Sequence, residues 1–178
     1  ENNPDGKSEG TAAAEFTGIA RWLNSQPLSL QALQGKVVLV DFWTYSCINC
    51  LRTLPYLRDW NEKYASQGLV IVGMHSPEFA FEKDEANVRE AIVRERVTWP
   101  VAMDNDFATW KAYQNRWWPH KFLIDQNGQS RYHHIGEGAY LETELKIREL
   151  LAEAGHDVSD IPVGGITAKD APNRSITR

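Results

Sequence analysis

The run VVLVDFW, residues 37–43, is apolar on both faces of an extended strand: Val38, Val40 and Phe42 point one way, Val37, Leu39 and Trp43 the other. Such a strand belongs inside a sheet that is covered on both sides. The period then changes. In LRTLPYLRDWNEKYASQG, Leu51, Leu54, Leu57 (or Arg58) and Tyr64 fall near helical spacing, and Gly68 marks the stop. Pro55 inside that pattern removes a hydrogen bond and is expected to kink the helix. LVIVGMH reads as a second buried strand, and KDEANVREAIVRERV as an amphipathic helix with Val88, Ala91, Ile92 and Val97 inward and acidic residues at its start. WPVAMD reads as a short strand, FATWKAY as a helical segment and HKFLID as another strand; a turn at QNG leads into QSRYHHIG and closes a hairpin. YLETELKIRELLAEAG reads as a final helix, with Leu141, Leu145 (or Ile147), Leu150 and Leu151 on its apolar side and Gly155 as the stop.

The two ends lack this order. Residues 1–15 are polar and small, and are expected to form a disordered lead-in. ARWLNSQPLSLQALQGK reads as two short strands around Pro27, then a helical turn ending at Gly35. Residues 156–178, with Pro162, Gly164, Gly165 and Pro172, show no periodicity and read as a tail or linker. Between them, residues 16–155 run β-α-β, an inserted helical segment, then β-β-α, which predicts an α/β sandwich.

Composition narrows the function classes. A chain of 178 residues is about one domain, long enough to bury its apolar surface without covalent staples. A net charge of -5 gives no electrostatic footprint for nucleic acid or anionic lipid. No apolar run approaches the roughly 20 residues of a membrane span. The opening ENNPDGKSEG lacks the basic and apolar regions of a signal peptide and has no initiator Met, so a processed form or an excised domain is expected.

The chain has two cysteines, Cys47 and Cys50, in WTYSCINC. A bridge between i and i+3 closes so short a loop that it removes little entropy from the unfolded chain. Four-ligand zinc sites recruit two Cys/His pairs, and among His75, His120, His133, His134 and His156 none forms an H-x3-5-H pair. Haem attachment needs His after the second cysteine, where Leu51 stands. Redox chemistry is the leading reading. The pair lies between a buried strand and a helix, which puts Cys47 at a helix N-terminus, where free N–H groups and the dipole favour a thiolate. Cys50, one turn in, suits the resolving role. Asp41 would cost several kcal/mol in a two-faced apolar strand unless paired. Its expected response is a raised pKa and a role as proton acceptor for a nearby thiol; a bond to a neighbouring lysine or backbone group is the structural alternative.

VVLVDFWTYSCINCLRTLP resembles the thioredoxin superfamily, whose pattern runs strand, D-F-W, C-x-x-C and a kinking proline. The resemblance places Asp41 at the acid/base position and Pro55 at the helix-kinking proline. It matches WPHKFLID to the cis-proline loop, implying a cis Trp118–Pro119 bond facing the cysteines, and Gly136 to the glycine after the last hairpin. Finer likeness points to the TlpA/ResA-like branch, with an N-terminal β-hairpin in NSQPLSLQALQGKVVLV and a central helical insert. FWTYSCINC, SPEFAFEKDEANV and YHHIGEGAY look most like the thioredoxin domain of DipZ-type proteins. The implied architecture is a thioredoxin-like fold, a central mixed β-sheet flanked by helices. The implied activity is thiol-disulfide exchange with no dissociable cofactor and no metal, acting on protein disulfides and fed by an upstream electron donor such as a membrane thiol-electron transporter. The implied location is extracytoplasmic.

Further residues attach to that site. Ile48 and Asn49 sit where such proteins tune potential and, with Trp118 and Pro119, would meet substrate. Without a His between the cysteines, Cys47 is expected to be less acidic and the pair reducing in direction. A cis X–Pro is uncommon enough to need a reason, and backbone beside it can pair with an extended substrate strand. Trp43, from the D-F-W motif, is a further candidate. Glu78 lies where this branch often carries an acid near the site, against an ordinary helix-start carboxylate. His120 is a candidate positive charge near the thiols, against a solvent-facing ring. Phe79, Phe81, Trp117 and Trp118 are candidates for an apolar rim, against core packing. Two other readings compete: a copper metallochaperone, whose C-x-x-x-C spacing this chain misses by one residue, and a non-catalytic docking domain, which intact Asp41, Pro55 and Pro119 argue against.

Overall fold

The computed structural model of the chain describes residues 10–166. Seven strands form one sheet in the order β1-β7-β6-β3-β4-β5-β2. They are β1 (Thr11–Ala12), β2 (Arg21–Leu23), β3 (Val37–Trp43), β4 (Leu69–His75), β5 (Val101–Met103), β6 (His120–Ile124) and β7 (Gln129–Ile135). The helices are α1 (Ile48–Tyr64), α2 (Glu85–Arg94), α3 (Ala108–Ala112) and α4 (Tyr140–Glu153). β3 pairs in parallel with β4 and antiparallel with β6, so the sheet is mixed and its most apolar strand lies at the centre. No helix among the described residues is long and apolar enough to cross a membrane.

The two faces of β3 enter two different cores. Val37, Leu39 and Trp43 pack with Leu51, Leu54, Leu57, Trp60 and Tyr64 of α1 and with Ile147, Leu150 and Leu151 of α4. Val38, Val40 and Phe42 pack on the opposite side with Val72 and Met74. Burying an aliphatic or aromatic side chain contributes about 1.5–3 kcal/mol, so Val40 and Phe42, both fully buried, offset the penalty of the buried Asp41 between them. α1 runs unbroken through Pro55. Gly73 of β4 has no side chain because Trp43 fills that space: a Cβ there would lie 2.9 Å from the indole Nε1.

Three expectations need correction. Among the described residues there is no N-terminal β-hairpin. β1 pairs with β7, β2 pairs with β5, and the two sit at opposite edges of the sheet. The chain between β1 and β3 instead lays Phe16, Ile19, Leu28, Leu30 and Leu33 across the Val38–Phe42 face, because those apolar groups gain more by covering it than by pairing with each other. The lead-in is partly ordered, since Thr11 and Ala12 extend the sheet; residues 1–9 lie outside the described residues. On α4, Leu141 and Leu145 are exposed. The helix buries the stripe Thr143, Ile147, Leu150 and Leu151, with the Tyr132 and Thr143 hydroxyls 2.9 Å apart.

The start of the expected tail also packs on the domain. Val158 is buried, the Ile161 carbonyl accepts from Arg148 Nη1 at 2.7 Å, and the Gly164 N–H donates to Glu144 Oε1 at 2.8 Å. Residues 167–178 of that tail lie outside the described residues.

Candidate active site

The carboxyl ends of β3 and β4 and the start of α1 form the site. Cys47 is the N-cap of α1, and its sulfur accepts the Cys50 N–H at 3.3 Å, the place usually held by a Ser or Asp oxygen. Both cysteines are free thiols here, Cys47 partly exposed and Cys50 buried. This difference splits their chemistry. Cys47 has its pKa lowered to about 7, first by the hydrogen bond from the Cys50 thiol and then, against partial burial, by the N–H groups of Cys50 and Asn49. Cys50 is pushed the other way, chiefly by burial, then by its bond to the Cys47 sulfur and by the charges of Cys47 and Asp41. One sulfur is poised as an anion, and its neighbour holds the proton.

Trp118–Pro119 is a cis peptide bond. The Trp118 carbonyl oxygen lies 4.0 Å from Cys47 Sγ, so this loop and the cysteines share one surface. Two networks fix the loop. Trp118 Nε1 donates to the Ser76 carbonyl at 2.8 Å, and the Ser76 hydroxyl donates to Asp104 Oδ2 at 2.8 Å. Asn115 Oδ1 accepts from the N–H groups of Arg116 and Trp117, while Asn115 Nδ2 donates to the Trp117 carbonyl. Behind the proline, the Gly136 N–H donates to the Pro119 carbonyl at 2.8 Å, from a glycine whose φ of 83° favours the absence of a side chain. Ile48 and Asn49 are exposed beside the thiols. Phe79, Phe81 and Trp117 are exposed as well.

Asp41 is buried opposite Lys121, its cross-strand neighbour on β6, with Lys121 Nζ 3.2 Å from Asp41 Oδ1. The alignment of these two atoms is poor for a directed hydrogen bond, so the ion pair acts mainly through its charge and less through hydrogen bonding. Burial raises the Asp41 pKa, and the lysine charge opposes that rise without cancelling it. Asp41 is thus a carboxyl with raised affinity for protons, held against a lysine.

Trp43 and His120 depart from expectation, while Glu78 lies close enough for its charge to reach Cys47. Trp43 is in the core against His75, with ring centroids 5.1 Å apart, and not at the thiol surface. His120 supplies no positive charge: burial lowers its pKa to about 3. Its Nδ1 faces Asn115 Oδ1 at 2.8 Å, an atom that only accepts, so Nδ1 carries the proton and Nε2 accepts from His133 Nδ1 at 2.9 Å. Glu78 is exposed, and its charge opposes the Cys47 thiolate more weakly than the hydrogen bonds favour it. The buried acid of that segment is Glu82, whose Oε1 accepts from the Ser46 hydroxyl at 2.7 Å. Lys121, Asn115, Ser46 and Glu82 were not legible as site residues. Lys121 had a signal: the cross-strand position opposite a buried Asp.

A helix-tip thiol, a buried partner one turn away and a cis-proline loop on a mixed sheet define a thioredoxin-like thiol-disulfide oxidoreductase. The Redoxin family model matches residues 8–147, and the chain belongs to that family. It is 46% identical over 145 residues to Protein DipZ of Mycobacterium tuberculosis, covering 80% of this chain and 21% of that protein. The chain therefore spans about a fifth of that relative's length. It is 30% identical to thiol-disulfide oxidoreductase YkuV of Bacillus subtilis, covering 78% of this chain and 93% of that one. Among solved structures, a thioredoxin-like protein in the oxidized form superposes with a TM-score of 0.73 at 28% identity, over 81% of this chain and 97% of the other.

Proposed function

We propose that the domain reduces protein disulfides, with Cys47 as attacking thiolate and Cys50 as resolving thiol. The Cys47 thiolate attacks one sulfur of the substrate disulfide, forming a mixed disulfide and releasing the other sulfur as a thiolate. Cys50 then gives up its proton, with Asp41 as the acceptor, and attacks Cys47 Sγ. This forms the Cys47–Cys50 disulfide and expels the second substrate thiol. Two electrons have passed to the substrate, and an upstream dithiol donor returns them. The cysteine pair carries the redox equivalents, so the cycle needs no dissociable cofactor. Ile48, Asn49, Trp118 and Pro119 form the surface that meets the substrate.

The observation that carries this reading is the placement of Cys47 Sγ at the N-cap of α1, accepting the Cys50 N–H at 3.3 Å with the Cys50 thiol buried one turn in. This holds the Cys47 pKa down, to about 7. That pKa matches the value near 7 of a thioredoxin thiol and not the value near 3.5 of a strong oxidant. Similarity to DipZ-type proteins supports an extracytoplasmic setting and a membrane thiol-electron transporter as donor. The test is an equilibrium redox titration of the Cys47–Cys50 pair against dithiothreitol and glutathione. A potential near the roughly -270 mV of thioredoxin is expected, and one near the roughly -120 mV of a dedicated oxidant reverses the proposed direction.

A further inference from the structure

The turn that presents Cys47 is held from two sides. From β4, His75 Nε2 accepts the Tyr45 N–H at 3.4 Å and lies 3.3 Å from the Thr44 hydroxyl. From the segment after β4, Glu82 Oε1 accepts the Ser46 hydroxyl at 2.7 Å. Glu82 is fully buried, and its second oxygen, Oε2, has no hydrogen-bond partner. An unsatisfied buried oxygen costs about 1–3 kcal/mol, more when charged, so Glu82 is a poor choice for packing alone. It sits in the 3-10 turn Ala80–Lys83. On the outer side of that segment the Phe79 and Phe81 rings stack in the open, 5.6 Å apart and nearly parallel. Phe81 also leans on Tyr45, with centroids 6.3 Å apart. One short segment therefore presents an aromatic pair to solvent while gripping the residue next to the nucleophile.

We propose that Glu82 is a positioning residue that acts through Ser46, holding the Thr44–Cys47 turn so that Cys47 Sγ stays aligned with the N–H groups of Asn49 and Cys50. The inference rests on the reading of Cys47 as the attacking thiol. The alignment is sensitive because the sulfur is held at 3.3 Å by a donor that a small movement of the turn withdraws. Ser46 is exposed, so its replacement leaves the core intact.

The experiment compares Ser46→Ala, Glu82→Ala and Glu82→Gln with the parent chain, reading Cys47 alkylation by iodoacetamide as a function of pH, with thermal unfolding alongside. Ser46→Ala and Glu82→Ala are expected to slow alkylation below neutral pH by about threefold or more, the effect of a half-unit rise in the thiol pKa. Glu82→Gln keeps an oxygen that can accept from Ser46 and is expected to show no such loss. Profiles of Ser46→Ala and Glu82→Ala that superimpose on the parent's overturn the proposal, even where the melting temperature falls. So does a Glu82→Gln loss as large as that of Glu82→Ala. A parent Cys47 that alkylates no faster than ordinary free cysteine would remove the nucleophile assignment itself, and this inference with it.

Discussion

Asp41 and Lys121 face each other across the β3–β6 ladder, 3.2 Å apart and nearly sealed from water. Removing one member of such a pair leaves the other charge stranded, which costs about 3–5 kcal/mol. Asp41→Asn is therefore expected to lower stability in urea by about that amount, and adding Lys121→Met to recover most of it. The double variant then isolates chemistry from folding. If Asp41 takes the Cys50 proton, resolution of a mixed disulfide slows in that background by about a hundredfold, in the range of general acid–base catalysis. An unchanged resolution rate removes Asp41 from the mechanism.

The unequal burial of the two sulfurs sets what each cysteine variant does. Cys47→Ser leaves only the buried, proton-holding Cys50 and is expected to abolish insulin reduction. Cys50→Ser retains the attacking thiolate but has nothing to release the product, so it accumulates a covalent adduct that intact-mass measurement detects. Full multiple-turnover activity in Cys50→Ser would show that resolution does not depend on it.

The Cys47 pKa also sets a pH profile. With a value of about 7, about half of the sulfur is thiolate at neutral pH, and the fraction falls about fivefold over the first unit below that and about tenfold for each further unit. Alkylation of the parent chain is expected to follow this curve, with its midpoint near neutrality and Cys50 unmodified throughout. A midpoint typical of a free thiol would mean that neither the Cys50 thiol nor the helix-tip N–H groups stabilise the thiolate.

Much of this site was legible because its chemistry is local in sequence. Cys47 and Cys50 lie one turn apart, and the alternation of β3 assigned each side chain to its face, as the two cores bear out. What escaped was non-local. Glu82 reaches Ser46 across 36 positions, and Lys121 meets Asp41 only through the register of β6. Neither separation leaves a periodic trace. The hairpin failed for the same reason: Arg21–Leu23 has strand character, but its partner is Val101–Met103. On α4 Ile147, Leu150 and Leu151 were placed correctly and the start of the stripe was not, because Leu141 and Leu145 look like core residues while Thr143 is the one buried, against the Tyr132 hydroxyl.

His75 and His120 bring acid sensitivity into the fold. Burial holds both pKa values near 3, so neither ring takes up a proton in the folded state at mildly acidic pH. In the unfolded chain a histidine titrates near 6.5. Between those values the unfolded state binds more protons, and stability falls as pH falls, by up to about 1.4 kcal/mol per unit for each ring. Asp41 and Asp104, whose folded pKa values are raised by burial, bind protons more tightly when folded and oppose this trend. The reading is therefore taken just below pH 6.5 as a difference between parent and variant, in which the contributions of the two carboxyls cancel. There the urea-unfolding free energy of the parent is expected to decline with falling pH. His120→Gln removes one titrating ring and keeps a side chain that can bond Asn115, so its slope should be shallower by about half a proton there, roughly 0.7 kcal/mol per unit, rising toward one proton a unit lower. Parallel slopes in parent and variant would mean that His120 is protonated in the folded protein, and the Asn115–His120–His133 chain behind the Trp118 loop would have to be redrawn.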